Sequence, residues 1–146
     1  MRYVCLAYVG GTQLNALTDG QRADLRRAAS ACADELRRSG HLVSAEPLMS
    51  VRAATTLRIR EGSQVSLDGP AVESAEQLDE VLVVEARDLN EAIRLAARHP
   101  AARLGGIEIR PVARTGNAGN AGNAGDGGDG GDEGGGGDAR VGTIQS

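Results

Sequence analysis

Two stretches of this 146-residue chain are apolar on both faces of a strand. The first, Arg2–Val9, reads Arg-Tyr-Val-Cys-Leu-Ala-Tyr-Val, without the alternation of a strand that borders water. The second, Val81–Val84, lies between Glu80 and Glu85 and is equally continuous. Strands of this kind are buried on both sides and occupy the centre of their sheet. The remaining sequence offers two helical patterns, enough to cover one face of such a sheet. A second copy of the same sheet is the simplest cover for the other face, so a homodimer is expected.

The first helical pattern opens at Thr18-Asp19-Gly20-Gln21, a capping box in which hydroxyl and amide satisfy orphan backbone donors. Leu25, Ala29, Cys32 and Leu36 follow at helical spacing, and Gly40 stands in the usual C′ position. His41–Met49 predicts a strand, placed near an edge by Pro47. Thr55–Arg60 alternates, with Leu57 and Ile59 expected on a buried face and Arg58 and Arg60 opposite. Glu61-Gly62-Ser63 turns the chain into Gln64–Leu67 as a hairpin, and Asp68-Gly69-Pro70 is a dense turn signal. After the second doubly apolar strand, Asp88 with Glu91 caps another helix, which Pro100 stops. A last strand, Ile107–Arg110, ends at Pro111. The order β, α, β-meander, β, α, β predicts an α+β fold of the ferredoxin-like split βαβ sandwich type.

Composition sets the domain limits. Most of the 21 glycines fall after Thr115, among Gly-Asn-Ala repeats and Gly-Asp runs with few large apolar side chains. One domain over residues 1–114 and a disordered tail over 115–146 are therefore expected. The tail holds Asp126, Asp129, Asp132, Glu133 and Asp138 against Arg140, which accounts for the net charge of −4. The balanced body offers no electrostatic footprint for direct nucleic-acid binding or for an anionic membrane. Tyr3 and Tyr8 are the whole aromatic complement, too few for a base-stacking platform. No stretch has the apolar length of a membrane span or the form of a leader peptide, so a cytoplasmic location is expected. Cys5 and Cys32 lack metal or redox spacing and are expected as buried free thiols. His41 and His99 have no Cys or carboxylate at ligand spacing, and the glycine runs lack a following Lys-Ser/Thr. Neither a metal nor another cofactor is expected.

Several spaced pieces carry a family likeness: Glu35-Leu36 before Gly40, Glu46-Pro47-Leu48, Ala54–Arg60 and Asp68-Gly69-Pro70. Glu73 with Glu76-Gln77-Leu78, Ala96–Arg103 and Ile107–Val112 complete the set. In this order, Met1 to about Val112 resembles the YCII-related, DGPF-type family, whose signature is D-G-P-F-x-E-x-K-E. Ala71 stands at the Phe position, Ala75 at the Lys position, and Asp79-Glu80 where Gly-Gly usually follows. The resemblance implies a dimeric α/β barrel, two sheets face to face with a pocket beside each. Relatives use a His–Asp pair with the histidine on the first helix, and that helix contains no histidine here.

Asp68 is the best match to the acidic partner, and it reads either as a ligand-facing acid or base or as a turn residue. His41 is the one histidine placed to help it, or a polar strand start. Arg58 and Arg110, each in an alternating strand, would hold an anion or line a solvated rim. Tyr3 and Tyr8 are an odd number of residues apart, so one is core and the other, Tyr8, can reach the cavity. His99, in the last turn of the second helix, reads as a cap on the helix dipole. Two functions follow. One is a small-molecule-binding or accessory regulatory protein linked to sigma-factor-dependent transcription, since such relatives are often encoded beside extracytoplasmic-function sigma factors. The other is a small enzyme for proton transfer or elimination on a small oxyanionic metabolite.

Overall fold

The capping box at Thr18 forms as its sequence dictates: Gln21 N–H donates to the Thr18 hydroxyl at 3.1 Å and Thr18 N–H to the Gln21 amide at 2.8 Å. From it runs α2 (Asp19–Arg38), the long helix of the fold, preceded by the short α1 (Gly11–Asn15). Cys32, Ala33 and Leu36 are its buried residues. Gly40 ends it at φ +80°, a conformation that costs glycine little. The protein is described by a computed structural model over residues 1–114; the tail expected to be disordered lies outside the described residues.

Four strands make the main sheet: β1 (Arg2–Gly10), β2 (Leu42–Pro47), β5 (Glu76–Glu85) and β6 (Gly105–Pro111). Their order is β2-β5-β1-β6, and every neighbouring pair is antiparallel. The doubly apolar strands β1 and β5 are thus the central pair. With α2 between β1 and β2, and α3 (Leu89–Ala96) and α4 (Ala101–Leu104) between β5 and β6, this is the ferredoxin-like split βαβ arrangement. The core lies between this sheet and the helices. Tyr3 and Cys5 from β1 and Leu82 and Val84 from β5 meet Leu36, Ala92 and Leu95, while Ala7 and Val9 pack with Ala101 of α4. Gly105 at the start of β6 passes so close to the Tyr8 carbonyl that any Cβ would collide with it.

The expected meander does not form. β3 (Thr55–Arg60) and β4 (Ser63–Asp68) form a separate two-stranded ribbon and do not extend the main sheet. Glu61 and Gly62 both have positive φ, 52° and 77°, the pairing that a two-residue hairpin turn requires. Leu57 and Ile59, expected on a buried face, are 59% and 58% exposed. Alternation made the strand, but no neighbouring layer covers it.

Candidate functional site

The main sheet has two distinct faces. Toward the helices point Tyr3, Cys5, Ala7 and Val9, all nearly inaccessible. On the outer face Val4 pairs with Val83 and Arg110, Leu6 with Val81 and Glu108, and Tyr8 with Leu78 and Gly106. Paired residues share a side, so these side chains form one surface. Its centre is apolar and half-buried; its edges carry Ser44 and Glu46 on β2 and Glu108 and Arg110 on β6. Tyr8 stands on this face while Tyr3 is core, as the odd spacing predicts. Arg110 and Glu108 approach no closer than 3.9 Å and are both well exposed.

The other residues singled out in the sequence do not share a cleft within one protomer. Thr55 pairs with Asp68 and Arg58 with Val65, which puts Asp68 and Arg58 on opposite faces of the ribbon. Arg58 donates to the Ala71 carbonyl at 3.2 Å and so braces the loop after the Asp-Gly-Pro turn. Asp68 does not cap that turn. The Gly69 N–H goes to the Ala54 carbonyl at 2.8 Å, Pro70 has no N–H, and the Asp68 side chain is exposed. Gly69 itself needs its freedom, at φ +107°. His41 precedes β2 where Leu42 faces Val84, whereas the ribbon returns to the body where Glu76 faces Gly10. These are opposite ends of the sheet, on the order of 20 Å apart along β1. His41 accepts or donates a 2.7 Å hydrogen bond with the Ser39 hydroxyl and lies 3.9 Å from Glu91. It borders a shallow groove with Met1, Glu85, Arg87 and Glu91. The carboxylates there are already engaged: the N-terminus and Arg2 hold Glu85 below the usual range, and the Arg87 backbone and side chain hold Glu91 there.

The structure assembles a carboxylate–histidine pair that sequence reasoning missed. Glu80, on the inward side of β5, is 5% exposed, and His99, at the corner between α3 and α4, is 3% exposed. They meet at 2.7 Å between His99 Nε2 and Glu80 Oε1. His99 Nδ1 accepts the Ala101 N–H at 3.0 Å, so the ring proton sits on Nε2 and is donated to Glu80. The expected dipole cap at His99 is therefore replaced by a buried tie between sheet and helix corner. A signal was present: Glu80 shares its parity with Leu82 and Val84, and an inward acid needs a partner.

Next to Glu80 the ladder is irregular. Ala7 pairs with Glu80 and Tyr8 with Leu78, which leaves Asp79 as the extra residue of a β-bulge. Burial, then the charge of Glu80, pushes the Asp79 carboxyl above the usual range, with His99 and Arg26 partly opposing. A half-buried acid whose proton is retained to higher pH can exchange it with a ligand. The pair behind it has no such access. The cavity lined by Cys5, Cys32, Leu82 and His99 is about 10 Å³, no more than one water. Both cysteines are free and buried, and burial, followed by Cys32, pushes the Cys5 thiol up to about 11. Among the described residues no group of three His, Cys, Asp or Glu is set to hold a metal ion, and no helix is long and apolar enough to cross a membrane.

Residues 1–115 match the family model described as the YCII-related domain. An uncharacterized protein of Rhizobium meliloti (strain 1021) is 30% identical over 115 residues, 77% of this chain and 93% of that protein. Among solved structures, 5-chloro-2-hydroxyhydroquinone dehydrochlorinase from Burkholderia phenoliruptrix AC1100, in complex with 2,5-dihydroxybenzoquinone, is similar with a TM-score of 0.49. That likeness has 12% identity and covers 80% of this chain and 98% of the dehydrochlorinase.

Proposed function

The chain belongs to the YCII-related domain family, and on that premise we propose that it is a homodimeric small-molecule-binding protein with an accessory regulatory role. The observation that supports this reading is the outer face of the main sheet. Its half-buried centre of Val4, Leu6, Val81 and Val83 is edged by charged and polar groups. An apolar floor with a few polar groups at its margin is the usual lining of a small-ligand pocket, and a second sheet facing it would close the pocket. Tyr8 and Arg110 stand on that face, as the hydroxyl and cation for a small oxyanion. The neutral body directs regulation through ligand or protein contacts, consistent with a role beside a sigma factor and without direct DNA binding. The proposed location remains cytoplasmic.

The enzyme reading has one observation in its favour, the bulged Asp79 with its raised proton affinity. In that reading Asp79 rather than Asp68 exchanges the proton, and the Glu80–His99 pair fixes the strand beneath it. A thermal-shift screen of small acids and phenols tests both. For the binding reading, stabilisation by at least one compound should survive Asp79→Asn and fall in Arg110→Gln. For the enzyme reading, deuterium exchange into that compound should be followed by NMR. Exchange that is catalysed by the parent and lost in Asp79→Asn would select the enzyme; no shift with any compound would remove the ligand site altogether.

A further inference from the structure

The turn that ends α2 fixes two side chains beside each other. Gly40 N–H donates to the Arg37 carbonyl at 3.1 Å and His41 N–H to the Leu36 carbonyl at 2.9 Å, with Gly40 at φ +80°. These bonds and the left-handed glycine are a Schellman motif, which holds the backbone of Ser39-Gly40-His41 in one conformation. A further bond, from Glu85 N–H to the His41 carbonyl at 2.7 Å, ties the turn to the end of β5. In this frame the Ser39 hydroxyl stands 2.7 Å from His41 Nδ1. Glu91 comes from the first turn of α3. Its N–H donates to Asp88 Oδ1 at 2.9 Å, and its own Oε1 accepts the Arg87 N–H at 2.9 Å. The same Oε1 lies 3.9 Å from His41 Nε2. Serine, histidine and glutamate thus form a row, each held by hydrogen bonds at a helix terminus.

The proton positions follow from the neighbours. The Arg87 backbone N–H, then the Arg87 charge, hold the Glu91 carboxyl below the usual carboxylate range. A carboxylate has about four acceptor sites, so the bonds from Arg87 leave room for His41. An anion beside Nε2 favours the imidazole tautomer with its proton there, which leaves the Nδ1 lone pair for the Ser39 hydroxyl. The competing acceptor, the Leu36 carbonyl, is farther at 3.1 Å and already takes the His41 N–H. All three residues line a groove of about 320 Å³, at the small end of ligand sites. Arg87 lines it too, binding Glu91 through Nε at 3.0 Å, and among the described residues its two terminal nitrogens have no partner.

We propose that this groove is a second reactive site, a hydrolase for small esters in which Ser39 is the nucleophile, His41 the base and Glu91 the positioning carboxylate. It shares no residue with the outer sheet face and does not depend on the dimer. Ser39 Oγ adds to the ester carbonyl carbon while its proton passes to Nδ1, and Arg87 meets the charge on the carbonyl oxygen. Collapse breaks the acyl C–O bond, and the alcohol leaves with the proton from Nδ1. Water then adds to the acyl-serine, its proton passing to Nδ1. Ser39 Oγ departs with that proton and the carboxylic acid is released.

Two probes of the full-length protein test this. Phenylmethylsulfonyl fluoride on the parent should modify Ser39 in preference to the other exposed serines, Ser50, Ser63, Ser66 and Ser74, as read by peptide mass. Even labelling of these serines, or none, overturns the proposal without recourse to a variant. With p-nitrophenyl acetate the parent should show saturable hydrolysis and an acetyl group on Ser39. Ser39→Ala should abolish both, and His41→Gln should lower the rate at least about 100-fold, the scale of a lost general base. Glu91→Gln should lower kcat at least about 10-fold with KM held, because the imidazole loses its tautomer and not its substrate. Each variant is compared with the parent by far-UV circular dichroism. Hydrolysis that survives Ser39→Ala but not His41→Gln would make the histidine itself the nucleophile and overturn the assignment. No hydrolysis above a protein-free blank overturns it as well.

Discussion

In the sheet body and in the β3–β4 ribbon alike, apolar side chains recur at every second position along a strand, with opposite results for their burial. In β1, Tyr3, Cys5, Ala7 and Val9 are each at most 4% exposed, because α2 and the α3–α4 corner lie over them. In β3, Leu57 and Ile59 stand at the same two-residue spacing and remain more than half exposed. The difference teaches that a period of two specifies a strand and its two faces, while burial is decided by what packs on each face. The body is closed on one face by its own helices, and its outer face, on the proposed reading, is closed by another copy; nothing in the protomer packs on the Leu57–Ile59 face of the ribbon.

The largest expected effect lies in the body. His99→Ala would leave Glu80 buried beside an empty space, and breaking such a pair by removing one partner should cost about 3–5 kcal/mol. Urea denaturation checks this; a loss below about 1 kcal/mol would show that the pair is not the tie described here. Close behind is Leu36→Ala, at 1% exposure in the parent, with an expected loss of about 2–5 kcal/mol. The matching change in the ribbon, Leu57→Ala, should alter unfolding stability by no more than about 0.5 kcal/mol, because the side chain is already 59% exposed. Equal destabilisation of the monomer by both changes would break the contrast between the two regions.

A smaller effect concerns pH. Because the Asp79 carboxyl is raised from 3.8 in the folded state, the stability it confers is present at acid pH and is lost as pH rises through the raised value. Asp79→Asn should therefore gain stability relative to the parent as pH increases from below 3.8 toward neutrality. Parallel stability curves for the two proteins across that range would show that Asp79 is not perturbed. The buried thiols give a related check. With Cys5 pushed up to about 11, alkylation at neutral pH should follow global unfolding; rapid labelling of the native protein would contradict its burial.

Much of the fold was legible in the sequence because the signals were local. The Thr18–Gln21 box, Gly40 at the helix end and the doubly apolar β1 and β5 each specify their own conformation or place. What was not legible depended on non-local packing. Glu80 and His99 are 19 residues apart and meet because the α3–α4 corner folds back on β5. The detachment of the ribbon followed from the same cause, since β3 reads the same whether or not a sheet edge accepts it. The candidate site was legible in part. Tyr8 and Arg110 do share the outer face, but Asp68, Arg58 and His41 are distributed over two ribbon faces and the far end of the sheet. The bulge that singles out Asp79 is a property of the β1–β5 register, visible once both strands are paired.

The central claim is that a second copy covers the outer face of the sheet. Sedimentation equilibrium of the full-length chain tests it most directly, over a concentration range from about 0.1 to 100 µM that brackets ordinary stable interfaces. The expected result is a dimer at micromolar concentration that Val83→Asp converts to a folded monomer. A parent protein that remains monomeric throughout the range, or a dimer indifferent to Val83→Asp, would contradict it.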